Sequence, residues 1–193
     1  MALTHYLDMR LRIDPELDPA LARSALFTRL HLYLVRTGSN DIAVSFPETV
    51  RNAGGEARKL GAVLRLHGDA NALTPLAQPA AWGGAASVAT IGTVTALPEK
   101  VLHHRVRRVQ VDSNPERLMR RAMKRKSWTE AQARENYAQA KVVHTGLPFI
   151  TLTSGSTGHP FRLFLDVGMP LSESCEGTFN AYGVSAEATV PCF

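Results

Sequence analysis

His5-Tyr6-Leu7-Asp8-Met9-Arg10-Leu11-Arg12-Ile13 is the stretch on which the fold turns. Leu7, Met9, Leu11 and Ile13 take alternate positions, and Tyr6, Asp8, Arg10 and Arg12 fill those between. Successive side chains of a strand point to opposite faces, so this is a half-buried strand. Helical punctuation follows it. Asp18 can cap a helix N-terminus, and Pro19 suits the first helical position. An apolar helical pattern runs on to about Arg36, and Gly38 stands where a C-terminal cap belongs.

Working outward, Ile42 to Phe46 reads as a short strand stopped by Pro47, and 48–58 as a loop around Gly54-Gly55. Leu60 to Leu66 reads as a strand, Asp69 to Leu76 as the start of a short helix limited by Pro79, and Ser87 to Leu97 as a strand. The order strand, helix, strand, strand, helix, strand is the ferredoxin-like, RRM-like arrangement, a frequent scaffold for RNA binding. The class expected is therefore α+β, with this domain over 1–98. A smaller α/β domain is expected over 99–193. There His103 to Asp112 reads as a basic strand, 114–126 as a basic helix and 129–142 as a second helix. Leu147 to Thr153 and Phe161 to Leu165 read as strands, and the tail from Thr178 holds a last strand around Tyr182.

The chain has 193 residues, 45% of them hydrophobic, which is ordinary for a globular protein. No run approaches the roughly 20 apolar residues that span a bilayer, so no membrane partner is expected. The start shows no basic segment leading into an apolar one, and a secretory signal is not expected. Cys175 and Cys192 lack metal-ligand spacing and fit a reducing cytosol. The net charge of +5 is unevenly placed. Residues 103–126 hold nine of the 22 Lys and Arg and only Asp112 and Glu116 as acids, a local charge of +7 against −2 for the rest. One basic block on a near-neutral body fits a polyanion partner, where the plainer reading is a solvated charged face.

The pattern inside the block favours the polyanion. Asn114-Pro115-Glu116 is a helix start. Arg117, Arg120, Arg121, Lys124 and Arg125 then follow i, i+3, i+4, i+7, i+8, one continuous cationic stripe opposite Leu118, Met119, Ala122 and Met123. Like charges one turn apart repel, and a phosphate-lined groove would relieve that repulsion. The apolar side lacks the aromatic and Leu-rich character of a membrane-surface helix. In the preceding strand, Arg108 and Gln110 share a face. Arg pairs with guanine and Gln with adenine in bidentate fashion, although two surface polar residues on an edge strand would look the same.

His31 borders the apolar stripe of the first helix, where a histidine is usually a satisfied boundary residue. Chemistry makes it a candidate. RNA carries its own nucleophile, the 2′-hydroxyl, so a protein need only position that group, move protons and stabilise the phosphorane. No cluster has metal-ligand spacing, so neither a metal nor another cofactor is expected. Ser154-Gly155-Ser156-Thr157-Gly158 offers hydroxyls and backbone N–H groups that can hold a phosphate or a ribose, or can simply form a hairpin turn. Phe161 can stack on a base or enter the core, and Tyr182 can donate a hydrogen bond or pack.

Taken together these residues resemble the CRISPR repeat-cleaving endoribonuclease of type I-F systems, the Csy-type crRNA-processing enzyme. The similarity rests on His5 to Arg12, Leu30-His31, Val44-Ser45-Phe46-Pro47 and Arg107-Arg108-Val109-Gln110. It continues through Ser113 to Leu118, Leu147-Pro148-Phe149, Ser156-Thr157-Gly158, Phe161 to Phe164, and Tyr182-Gly183 through Phe193. The resemblance implies a ferredoxin-like domain carrying a catalytic histidine at His31, with Ser154 positioning the ribose and Tyr182 in the active site. It implies an arginine-rich helix whose Arg120, Arg121, Lys124 and Arg125 lie on the phosphates of a repeat hairpin, with Arg108 and Gln110 as base readers and Phe161 stacking. Lys124 stands where that family often has Arg. The implied reaction is 2′-hydroxyl attack at the base of the stem, leaving a 2′,3′-cyclic phosphate or its opened form and a 5′-hydroxyl. The implied partners are the crRNA and the other subunits of the type I-F surveillance complex, in a prokaryotic cytoplasm. Two other readings stay open: a non-catalytic subunit that caps the guide RNA, against which His31, Ser154 and Tyr182 together argue, and a ferredoxin-like regulator binding DNA or protein.

Overall fold

The computed structural model describes residues 3–12, 14–111, 123–137 and 145–193. His5–Leu11 forms strand β1, with Leu7, Met9 and Leu11 buried and Arg10 exposed, as the alternation requires. Ile13 lies outside the described residues. Helix α1 spans Pro19–Thr37. Asp18 caps it by accepting a hydrogen bond from the Ala20 N–H, and Gly38, at φ +63°, closes it with an N–H donated to the Leu34 carbonyl. Ala22, Leu26, Phe27, Leu30 and Leu34 are its buried face.

Strands β2 (Ala43–Ser45), β5 (Val63–Gly68) and β6 (Ala89–Ile91) build a sheet around β1 in the order β2-β5-β1-β6, every pair antiparallel. Leu7 faces Leu66 and Met9 faces Leu64 across the β1–β5 pair, so the apolar positions of both strands share one side. Between β2 and β5 the chain makes a short antiparallel hairpin, β3 (Val50–Arg51) with β4 (Ala57–Lys59), where the turn residues had suggested only a loop. After the Asp69 cap the helix α2 lasts only Ala70–Leu73. Three 3-10 turns carry the chain on to Val88, in keeping with Pro75, Pro79 and Gly83. The strand expected over 87–97 is two pieces. Both β6 and β7 (Thr95–Ala96) pair with β1, and the intervening Gly92 donates its N–H to the Asp8 carbonyl.

The basic strand expected over 103–112 is also broken, at Arg105. Strand β8 (Leu102–His104) pairs with β12 (Val190–Cys192), whereas β9 (Val106–Val109) joins a second sheet with β10 (Phe149–Thr153) and β11 (Pro160–Val167) in the order β10-β11-β9. Gln110 lies past the end of β9. The last strand is Val190–Cys192, and Tyr182, expected in it, sits in a turn.

The architecture is thus α+β with antiparallel sheets. Met1–Val109 and Leu147–Phe193 form one compact unit, and Gln110–Gly146 a second. In the second unit residues 123–126 are helical and α3 covers Glu130–Tyr137. Thr129 and Gln132 start α3 with a capping box: the Thr129 N–H donates to Gln132 Oε1 (3.0 Å), and the Gln132 N–H donates to Thr129 Oγ1 (3.3 Å). Of the basic helix expected over 114–126, Arg117, Arg120 and Arg121 lie outside the described residues; Lys124 and Arg125 are exposed. No helix among the described residues is long and apolar enough to cross a membrane.

Candidate active site

Leu30 and Leu34 turn into the core, which leaves His31 half-buried at the edge of α1. Its Nδ1 lies 2.7 Å from the Ala181 carbonyl oxygen. A carbonyl can only accept, so Nδ1 carries a proton. The Tyr182 ring lies flat on the imidazole, with centroids 4.3 Å apart and an interplanar angle of 12°. The Arg108 guanidinium carbon stands 5.6 Å from the centroid of the same tyrosine ring. Arg108 is exposed on β9, opposite Leu165, and among the described residues its side chain has no hydrogen bond or ion pair. Helix, turn and strand thus bring His31, Tyr182 and Arg108 to one place.

A tight turn sets Tyr182. Asn180 Oδ1 accepts the Tyr182 N–H (2.8 Å), and the Asn180 carbonyl accepts the Gly183 N–H (2.8 Å). The Gly183 carbonyl in turn accepts the Val44 N–H of β2 (2.8 Å), and the Ser185 N–H donates to the Val106 carbonyl of β9 (3.0 Å). The turn is therefore tied to both sheets.

Ser154, Ser156 and Thr157 form a separate cluster at the β10–β11 turn. The Ser154 N–H donates to the His159 carbonyl (3.0 Å), and its carbonyl accepts the Gly158 N–H (2.8 Å). Its Oγ is 3.2 Å from Ser156 Oγ and accepts the Thr157 N–H (3.3 Å). The expected hydroxyl-rich loop is therefore a hairpin turn in which the Ser154 and Ser156 hydroxyls lie together. Among the described residues Ser154 and His31 do not hydrogen-bond to each other. Helix α1 does pack on β10, the strand that ends at Thr153. Phe161 is half-buried and packs against the core. Gln110 is exposed, as are Lys124 and Arg125. Sequence reasoning missed Asn180 and the Ala181 carbonyl. The signal was available in Asn180 with Gly183 three residues on, a turn pattern, although nothing local connects it to a helix 150 residues earlier.

With this geometry in place, comparison with known proteins gives a family. Residues 6–193 match the family described as CRISPR-associated protein (Cas_Csy4). The chain belongs to the Cas_Csy4 family. Two relatives, each named CRISPR-associated endonuclease Cas6/Csy4, come from Escherichia coli (strain UTI89 / UPEC) and Pseudomonas aeruginosa (strain UCBPP-PA14). Each is 40% identical over 191 residues, covering 99% of this chain and 100% of the relative. As a member of Cas_Csy4 matched along nearly all of the given sequence, the chain is a CRISPR-associated endonuclease.

Proposed function

We propose that the chain is an endoribonuclease that needs no metal and cuts CRISPR precursor RNA at the 3′ base of the repeat hairpin. The observation that carries this is the layered group of Arg108, Tyr182 and His31, with the His31 Nδ1 proton held by the Ala181 carbonyl. A base-reading group and a proton-transfer group then share one tyrosine ring. In the reaction the 2′-oxygen forms a bond to the adjacent phosphorus and loses its proton to a base. The bond to the 5′-oxygen breaks, and that oxygen takes up a proton. The products are a 2′,3′-cyclic phosphate, or its opened form, and a 5′-hydroxyl. His31 Nε2 is the proton-transfer atom, since Nδ1 is engaged. Ser154 holds the ribose, and Ser156 and Thr157 take a neighbouring phosphate. Arg108 and Gln110 read bases, Phe161 stacks, and Arg117, Arg120, Arg121, Lys124 and Arg125 neutralise the stem's phosphates.

The strand order β6-β1-β5-β2, with α1 leaving β1, supports a ferredoxin-like domain under the histidine. In the same reading 1–98 carries the histidine and 99–193 most of the RNA contacts. The enzyme works in a prokaryotic cytoplasm, and with so many phosphate contacts it stays on its product and joins the other subunits of the surveillance complex. The test is cleavage of a cognate repeat hairpin in EDTA by the wild type and His31→Ala side by side. Cutting by the wild type alone supports the reading; binding by both with cutting by neither overturns it in favour of an RNA-capping subunit.

A further inference from the structure

We infer that Asn180 is a positioning residue that sets the tautomer of His31, so that the neutral ring always presents the lone pair of Nε2. The inference rests on the reading of His31 as the proton-transfer group. Neutral imidazole can carry its proton on either nitrogen, and the partner of one nitrogen decides the state of the other. Here that partner is the Ala181 carbonyl, 2.7 Å from Nδ1. The carbonyl belongs to the second residue of the Asn180–Gly183 turn, and none of the turn's own hydrogen bonds uses it.

Asn180 makes three of the contacts that fix this turn. Its side-chain Oδ1 accepts from Tyr182, its carbonyl accepts from Gly183, and its N–H donates to the Val184 carbonyl (3.0 Å). The two backbone bonds are open to any residue with an N–H group. The side-chain bond is open only to one with a nearby oxygen, which is the means by which asparagine and, more weakly, serine shape turns. Without it the Ala181–Tyr182 peptide can rotate, which turns the carbonyl away from Nδ1 and lifts the Tyr182 ring off the imidazole. Asn180 is itself exposed, so its truncation removes this restraint and leaves no hole in the core.

The test needs no RNA for its first readout. Protein labelled with ¹⁵N-histidine is compared as wild type, Asn180→Ala and Asn180→Ser, with the His31 signals assigned by their loss in His31→Ala. Neutral His31 is expected as the Nδ1–H form in the wild type. It should shift towards the Nε2–H form in Asn180→Ala and return in Asn180→Ser, which restores an uncharged oxygen. The second readout is cutting of the repeat hairpin at saturation. General acid–base catalysis contributes roughly 10²–10⁴-fold. Loss of part of it should slow Asn180→Ala about tenfold or more, with hairpin affinity unchanged and the rate largely regained in Asn180→Ser. A wild-type spectrum dominated by Nε2–H overturns the inference, as does an Asn180→Ala protein with the wild-type tautomer or the wild-type rate. Failure of the ribonuclease reading would appear as a wild type that does not cut, and the tautomer signal is read independently of it.

Discussion

Gly183 sits at φ +70°, and a Cβ added there would come within 2.6 Å of Val44 Cγ2. The left-handed region costs an L-residue roughly 1–2 kcal/mol, and the collision with β2 adds to that. Gly183→Ala is therefore expected to lower the unfolding temperature by roughly 5–10 °C, at about 2–4 °C per kcal/mol for a chain of this size, when followed by thermal melting. It should also slow cutting, because the turn it distorts carries Tyr182. At Tyr182 the ring, not the hydroxyl, faces His31. Among the described residues that hydroxyl has no hydrogen-bond partner. Tyr182→Phe should consequently keep cutting within about threefold, while Tyr182→Leu should lose roughly tenfold or more, since a flat partner is what orients the imidazole. Equal rates for the Phe and Leu variants in single-turnover assays would show that stacking does not matter.

Elements with a local code were legible and those set by distant partners were not. The alternation of β1, the Asp18 cap and the Gly38 stop are properties of neighbouring residues, and the structure has each where the pattern put it. The break in the strand after Ile91 goes with a one-residue register shift against β1, from Met9 opposite Ile91 to Tyr6 opposite Thr95, and the break at Arg105 with two strands choosing different sheets. Neither is visible along the chain. The site divides the same way. His31 and Tyr182 could each be named as candidates, but the turn that joins them could not, because Asn180 and Ala181 act on a helix far back in the sequence. The basic stripe is the opposite case, a helical spacing written in consecutive residues. If it neutralises phosphates, Arg120→Ala with Arg121→Ala should weaken hairpin binding. It should also reduce the slope of log affinity against log salt by about 1.4–1.8, since each lost phosphate contact removes about 0.7–0.9. An unchanged slope across a salt series would mean that the stripe does not touch the stem.

At the scale of the whole molecule, two buried histidines make stability depend on pH. His67 and His104 are both buried. His67 shares a hydrogen bond with Ser45 Oγ (2.8 Å), while His67 Nδ1 and His104 Nε2 have no hydrogen-bond partner within the described protein. Burial pushes His67 down to about 3, helped by Arg65 and His104 beside it. It pushes His104 down to about 4, helped by Arg51 and His103. The ordinary value of 6.5 holds once the chain unfolds. Between these limits the unfolded chain binds protons that the folded one refuses. Stability is therefore full above about pH 6.5 and falls as the pH drops towards the folded values. At pH 5 the loss is about 2 kcal/mol for each histidine, from the proton uptake of a group with its ordinary pKa. Replacing His104 by Leu removes one of these groups and leaves no buried nitrogen unpaired at that position. His104→Leu should hold the wild-type stability or slightly exceed it at pH 7.5, and at pH 5 it should lose about 2 kcal/mol less than the wild type in urea unfolding. Carboxylates contribute equally to both proteins, so the difference isolates the histidine. A variant whose stability falls as steeply as the wild type's would mean that His104 accepts a proton in the folded state, against the burial that keeps it neutral.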